Sequence, residues 1–209
     1  MTAMNDLLKR IVSAAAALAA CASLTACSGT TNAASIYSEF DLARVGIVDY
    51  LPIESLEQLE SYCDTIVVGE VADDPVYDEE NEFFSYRSNI RSYSTIEVKQ
   101  VLMGDVSVND RITVTQESGI VDDVFYTFSE LTPMIKGDEW LFFLVKDDND
   151  VYWVMCDSDG RYPTKNSASK NCRMTFKNAE LSDSYQLGVF DEESFNRFIY
   201  NEIVEKYNV

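Results

Sequence analysis

Alternating and continuous apolar runs between residues 65 and 156 predict five β-strands. In the run 111–115, Ile112 and Val114 point to one side, as expected of a strand that buries one face. The last two runs are apolar on both sides, so both of their faces have to be covered and these strands are expected to be central. The five predicted strands are 65–71, 93–102, 111–115, 139–145 and 151–156.

Two of these strands carry a sign of irregular pairing. Gly69 interrupts the first run, and a glycine inside a strand indicates a bulge or a sharp bend. In the second run, the apolar positions Val98 and Val101 differ in parity, which is a one-residue slip typical of a β-bulge. Because bulges bend strands, the pattern favours a small closed or partly closed barrel.

Helical spacing flanks the predicted strands. Ser55 followed by Gln58 is a capping-box candidate for a helix that ends near residue 63. Near the C-terminus, Asp191 is expected to cap a second helix, with Glu192 at the positive end of the helix dipole. The fold class is therefore mainly β (α+β), a five-stranded barrel with a preceding helix and a C-terminal capping helix. The apolar stripe of that last helix is Phe195, Phe198, Ile199, Ile203 and Tyr207.

The first 27 residues have the pattern of an export signal. Lys9 and Arg10 precede an uncharged run from Ile11 to Leu24. A helix needs roughly 20 apolar residues to cross a membrane. This run is shorter, and its length fits the apolar region of a signal peptide. It is followed by small polar residues over 28–35, a composition typical of a flexible tether.

The signal ends in Leu24-Thr25-Ala26-Cys27, which resembles the lipobox of bacterial lipoproteins. The resemblance implies cleavage after Ala26 and attachment of diacylglycerol to Cys27 through a thioether. It divides the chain into a lipoprotein signal peptide (1–26), a lipidated cysteine with its tether (27–35) and one β-barrel domain with flanking helices (36–209). The expected location is the extracytoplasmic face of the cell membrane, or the outer membrane where there is one. An ordinary secretory signal with a coincidental cysteine is the alternative.

Composition and charge narrow the classes of function. The chain has 209 residues, 46% of them hydrophobic, which is typical of a folded domain. Its 16 basic and 36 acidic residues give a net charge of −20, which argues against a nucleic-acid partner. The absence of histidine excludes Ser-His-Asp catalysis and zinc sites that need His.

Four segments carry a second resemblance. They are Thr65-Ile66-Val67-Val68-Gly69-Glu70-Val71, Val101-Leu102-Met103-Gly104-Asp105, Lys136-Gly137-Asp138-Glu139-Trp140-Leu141-Phe142-Phe143-Leu144 and Asp159-Gly160-Arg161-Tyr162. Together they resemble an uncharacterised group of bacterial secreted proteins with an OB-type barrel, akin to the netrin/tissue-inhibitor module. The resemblance implies an OB-like barrel over 64–162. In animal inhibitors of this fold an N-terminal Cys reaches a protease metal; because Cys27 is expected to carry lipid, no inhibitory role follows.

Three further cysteines lie in the predicted domain. Outside the cytoplasm one disulfide is allowed. Cys156 with Cys172 would stabilise the fold by ~3 kcal/mol in the chain-entropy model and leave Cys63 as a buried thiol. Three reduced cysteines are the alternative. Without His or Cys-x-x-Cys spacing the three make a poor zinc site, so neither a metal nor a cofactor is predicted.

Charged and aromatic clusters are further candidates for binding sites, and each of them also has a simpler structural interpretation. Acidic residues are concentrated over 73–82 and 147–150. Their carboxylates are candidate ligands for a hard cation, or else they form solvated acidic loops. A basic stretch over 161–177 is a candidate contact for phosphates or an acidic partner, or packs on the protein's own acidic face. Phe125, Tyr126 and Phe128 are candidate ligand contacts, or else part of a secondary core.

These observations predict a lipid-anchored binding or interaction module of unknown ligand. The expected partners are the lipid bilayer, through Cys27, and an envelope protein or glycan. The alternative is a small hydrolase of cell-wall glycan that uses two carboxylates, which requires an acid–base pair at a cleft with one raised pKa. The sequence names no catalytic residue for it.

Overall fold

The computed structural model describes residues 37–45, 52–78, 90–128, 130–165, 174–181 and 187–209. Within these residues the chain is mainly β, with helices α1 (Leu56–Ser61) and α2 (Arg197–Tyr207). No helix in these ranges is both long and apolar enough to cross a membrane. The strands are β1 (Asp41–Arg44), β2 (Thr65–Val71), β3 (Val76–Tyr77), β4 (Ser92–Met103), β5 (Arg111–Gln116), β6 (Ser118–Val121), β7 (Val124–Thr127), β8 (Glu139–Lys146), β9 (Val151–Val154), β10 (Arg161–Pro163), β11 (Met174–Thr175) and β12 (Glu180–Leu181).

Five strands close a small OB-like barrel in the spatial order β2, β4, β5, β9, β8. Neighbours are antiparallel except β5 and β9, which are parallel. The ring closes because β8 pairs with β9 on one side and with β2 on the other. These are the five strands predicted from the periodicity, and their ends differ by at most two residues. The mainly β class and the OB-like barrel with two helices are confirmed.

Strand β4 bulges where it pairs with β2. The pairing skips Lys99 and Leu102, so each is an extra residue on β4. Opposite the first bulge, a Cβ built on Gly69 would overlap Cγ2 of Ile96. The close approach of the two strands therefore requires glycine. Both irregularities predicted from the sequence are confirmed.

Strand β8 is buried on both faces, as predicted. Trp140 and Phe142 point into the barrel, while Leu141 and Phe143 belong to a second cluster that includes residues of α1 and α2. Strand β9 differs from the prediction, because Tyr152 is buried but its neighbours are only half-buried. Its outer side is therefore not covered as that of β8 is.

Helix α1 begins as the capping pattern predicts. The Ser55 hydroxyl accepts a hydrogen bond from the backbone N–H of Gln58 at 3.2 Å. The Gln58 side chain reaches back and accepts from the backbone N–H of Glu54 at 2.8 Å. Leu56 and Leu59 are buried against the barrel. The helix lies beside α2, so the two helices cover one side of the barrel together.

Helix α2 begins later than the sequence predicts. Asp191 accepts from the backbone N–H of Glu193 at 3.0 Å, but it caps only a short 3-10 turn that ends in extended backbone. The cap of α2 is Asn196, whose Oδ1 accepts from the N–H of Ile199 at 3.1 Å. The sequence holds two capping residues in succession, and the second one starts the helix.

The later start also corrects the predicted apolar stripe. Phe195, Ile199 and Ile203 are buried, whereas Phe198 is 63% exposed. Residues 199 and 203 are one turn apart and share a helix face, and residue 198 points away from it. Phe198 is therefore a surface residue, and Tyr207 lies half-buried at the edge of the stripe.

A second, three-stranded sheet in the order β1-β7-β6 lies beside the barrel and was not predicted. Its hairpin turns at Asp122 and Asp123, both with positive φ (49° and 62°), as a two-residue primed turn requires. Beneath it, the Tyr37 and Tyr77 hydroxyls lie 2.7 Å apart. The aromatic cluster around them contains Tyr37, Phe125, Phe176 and Phe190.

Candidate functional site

A row of four side chains crosses four strands on the outer face of the barrel, and three of them are apolar and partly exposed. Val76 of β3 lies opposite Tyr93 of β4. Tyr93 lies opposite Thr115 of β5, which in turn lies opposite Trp153 of β9. Val76 is 67% exposed, both rings are half-buried, and the threonine between them is buried. Facing residues share a side of the sheet. We call these four residues the aromatic row.

The position of Trp153 is fixed by polar neighbours. The Arg91 guanidinium lies 4.9 Å from the centroid of its ring, a cation–π distance. Asp147, in the turn before β9, accepts from the backbone N–H groups of Val151 (3.0 Å) and Asn149 (2.8 Å). These bonds, first that from Val151, lower the pKa of Asp147, and a hydrogen bond from Trp153 adds to the effect. One carboxylate of the acidic turn is therefore used to close the hairpin.

Three glutamates lie side by side further along the same outer face. Glu139 of β8 is opposite Glu70 of β2, and Glu70 is opposite Glu97 of β4. We call these three residues the carboxylate row. Glu97 follows Tyr93 by four residues, which places the two rows about 13 Å apart along β4. Rings and carboxylates therefore occupy one continuous surface.

The bulge in β4 brings a cation to the carboxylate row. Lys99 is the extra residue of the bulge, and its Nζ lies 2.7 Å from Glu97 and 3.2 Å from Glu70. The hydrogen bond from Lys99 lowers the pKa of Glu97, and the same bond raises the pKa of Lys99. Bulges commonly redirect a side chain in this way. Glu97 is thus kept ionised to lower pH, which suits an acceptor of hydrogen bonds.

A cleft of about 290 Å³ opens beside the carboxylate row. Glu139 forms part of its wall, and the Thr164 hydroxyl donates to Glu139 Oε1 at 2.6 Å. Lys165 lines the far side, with Nζ 3.5 Å from Asn208 Oδ1. Pockets for small ligands start at about 300 Å³. The cleft is thus at the lower limit of this range.

The fold separates the three aromatic residues that the sequence offered for ligand contact. Phe125 has no exposed surface and packs edge-on against Tyr37, with 5.3 Å between ring centroids. Its burial favours the alternative interpretation, in which Phe125 belongs to a secondary core. Tyr126 and Phe128 are half-buried in and beside β7. For these two the ligand-contact role stays a prediction.

Two of the cysteines lie within the described residues. The Cys63 thiol is half-buried and donates to the carbonyl of Leu59 at 3.2 Å. Burial raises its pKa to about 12, and the neighbouring Cys156 adds to the shift. Cys27 and Cys172 lie outside the described residues. Lipidation of the first and the disulfide between Cys156 and the second therefore stay predictions.

The basic stretch is divided between core and surface. Arg161 has no exposed surface, although the sequence offered it as the first member of a basic contact region. Lys165 and Lys177 are exposed. Lys170 and Arg173 lie outside the described residues. The prediction of a basic surface is therefore wrong at Arg161, because its charged group lies in the core.

The acidic clusters show no arrangement for a metal in the described part of the chain. Asp73 is an ion-pair partner of Arg111 and lies 3.6 Å from Lys136. No group of three or more His, Cys, Asp or Glu residues in the described ranges could hold a metal ion.

Sequence reasoning missed the residues that now form the site. Glu70, Glu97 and Glu139 are far apart in the chain, and only strand register brings them together. The sequence predicts strands at Tyr93 and Trp153 but does not assign either ring to a face of the sheet. Alternation with the buried Ile96 and Tyr152 was the available signal that both rings point outward.

The chain matches no model of a known protein family, no curated protein and no solved structure.

Proposed function

We propose that this protein is a lipid-anchored, extracytoplasmic module that binds a glycan of the cell envelope. The anchor is supported by the sequence Leu24-Thr25-Ala26-Cys27. The binding role is carried by one observation, the aromatic row on the outer face of an OB-like barrel. In OB barrels the second and third strands and their adjoining loops form the binding face for oligonucleotides and oligosaccharides. Here these strands are β4 and β5.

Charge and chemistry favour a glycan as the ligand. A net charge of −20 repels polyanions such as nucleic acids. Aromatic rings can stack on sugar rings, and Tyr93 and Trp153 are half-buried rings on the outer face, with Arg91 over one face of Trp153. Between the two rows, Thr95 lies opposite Thr113 on the same face, so hydroxyl groups can meet sugar hydroxyls. Carboxylates such as Glu97 accept further hydrogen bonds.

The test is co-sedimentation of the detergent-solubilised protein with purified, insoluble cell-wall sacculi. We expect Trp153→Ala or Tyr93→Ala to weaken binding about five- to tenfold, since each ring contributes roughly 1 kcal/mol of stacking. Phe198→Ala is the matched control, because Phe198 is an exposed aromatic on α2. Its binding is expected to equal that of the wild type.

Two results would count against the proposal. Binding that survives the Trp153→Ala/Tyr93→Ala double change would move the site elsewhere on the molecule. Absence of any binding to sacculi, together with recovery of a Trp153-dependent envelope protein, would replace the glycan with a protein ligand and keep the binding face.

A wall-glycan hydrolase is the second candidate, and one observation favours it. The carboxylate row provides neighbouring acids beside a cleft, as glycoside hydrolysis requires. Against it, the pKa of Glu97 is lowered, while a general acid needs a raised pKa. Release of soluble sugar from sacculi that is lost in Glu70→Gln but retained in Trp153→Ala would support hydrolysis over binding.

A further inference from the structure

The cleft beside the carboxylate row is lined by groups that the aromatic row does not include. Its lining comes from β2, β4 and β8, from the segment that follows β10, and from the end of α2. Val68 and Val209 are buried and form the apolar part. A concave site where polar groups converge is where a small ligand is expected. The polar lining residues are Lys99, Gln100, Glu139, Thr164, Lys165 and Asn208.

Contacts within the protein hold two sides of the cleft in place. Thr164 is only 4% exposed, and its hydroxyl fixes the carboxylate of Glu139 through the 2.6 Å hydrogen bond. On the other side, Asn208 caps α2, and its backbone N–H donates to the carbonyl of Val204 at 3.1 Å. The cleft is therefore formed by the fold itself, which lowers the cost of ordering groups around a ligand.

The charged side chains of the cleft include one acid and one base that have no ion-pair partner among the described residues. Lys99 is compensated by the two glutamates that it contacts, at 2.7 and 3.2 Å. Glu139 accepts from a hydroxyl group and from no described cation. Lys165 contacts the amide oxygen of Asn208 at 3.5 Å and pairs with no described carboxylate. One carboxylate and one ammonium group can therefore pair with a ligand.

We propose that the cleft binds a small zwitterion of the α-amino acid class, with its ammonium group at Glu139 and its carboxylate at Lys165. A ligand with a single charge would pair with only one of these two side chains. The net charge of −20 also repels free anions, whereas an amino acid carries no net charge. The amides of Gln100 and Asn208 are further donors for a carboxylate. A cleft at the lower limit of pocket size, with Val68 in its lining, suits a short apolar side chain.

Three probes that share a methyl group separate the two charges. They are L-alanine, propionate, which lacks the ammonium group, and ethylamine, which lacks the carboxylate. Saturation-transfer NMR of the full-length protein in detergent at neutral pH measures the binding of each. For alanine we expect a Kd of about 1 mM, because charged contacts at partly exposed groups are weak. Propionate and ethylamine should each bind about tenfold more weakly, since each loses one charge-assisted contact.

Two variants assign each charge to its side chain. Lys165→Met should weaken the binding of alanine and propionate about tenfold and leave that of ethylamine unchanged. Glu139→Gln should weaken the binding of alanine and ethylamine and spare propionate. Glutamine keeps an oxygen that accepts from Thr164, so the fold is preserved. Lys177→Met, at an exposed lysine outside the cleft lining, and Trp153→Ala, in the aromatic row, should bind alanine as the wild type does.

Three results with the wild type alone would overturn the proposal. Propionate that binds as tightly as alanine would make the cleft an anion site, and ethylamine that does so would make it a cation site. No saturation transfer to alanine at about 10 mM, ten times the expected Kd, would mean that the cleft binds no such ligand. Alanine binding that survives both Lys165→Met and Glu139→Gln would place the ligand elsewhere. Glycan binding through Trp153 is a separate measurement, and none of these outcomes changes it.

Discussion

Replacing Arg161 with methionine is expected to lower the free energy of unfolding by about 1–3 kcal/mol. Arg161 has no exposed surface. One guanidinium nitrogen donates to the Thr132 carbonyl (2.8 Å), the Thr132 hydroxyl (3.0 Å) and the Gly188 carbonyl (2.8 Å). The group also lies 4.6 Å from the centroid of the Trp140 ring. Methionine fills the volume but leaves these buried acceptors without their donor.

Urea unfolding of both proteins gives the difference in free energy from the midpoints and slopes. Lys177→Met is the matched control, because it removes a charge from the same basic stretch at an exposed position. It should change stability by less than about 0.5 kcal/mol. A loss below about 1 kcal/mol for Arg161→Met would mean that Arg161 does not secure the segments around Thr132 and Gly188 to the barrel.

Changing Cys27 to serine is expected to release the protein from the membrane. Each buried methylene of an acyl chain contributes about 0.8 kcal/mol, so two chains hold a protein stably where one does so only marginally. Serine has no thiolate to accept the lipid. Fractionation of cells should therefore show the wild type in the membrane pellet and Cys27→Ser outside it.

Cys21 provides the matched control for this experiment. It lies within the apolar run of the same leader and follows Leu18-Ala19-Ala20, which also has the lipobox pattern of an aliphatic residue and two small residues. If Cys27 carries the lipid, Cys21→Ser stays in the membrane pellet. Loss of Cys21→Ser from the pellet, with Cys27→Ser retained there after a high-salt wash, would assign the lipid to Cys21.

The barrel strands could be predicted because each has an apolar pattern that is long enough to be recognised as a strand. Where this signal was weak, the prediction failed for physical reasons. β6 and β7 are four residues each, and their turn is formed by two aspartates in a left-handed conformation, which the sequence does not distinguish from a solvated acidic loop. At α2, Asp191 and Asn196 are both good caps, and the extended backbone between them decides which one starts the helix.

The candidate site was less predictable than the fold, because it depends on strand register. Alternation assigns Glu70 and Glu97 to the outer face but does not place one opposite the other. The bulge at Lys99 is predicted as a one-residue slip in the apolar pattern. Its consequence is an ammonium group between two carboxylates, which cannot be predicted without knowing how the strands pair. Arg161 shows the same limit, because a basic residue in a polar stretch gives no sign that its side chain enters the core.

The mass of the intact protein extracted from membranes shows whether Cys27 carries the lipid anchor. We expect a chain that begins at Cys27 and carries a diacylglyceryl group on its sulfur, with or without a third acyl chain on the new N-terminus. A chain that begins at Met1, with Cys27 unmodified and the protein in the cytosol, would contradict both the anchor and the extracytoplasmic role.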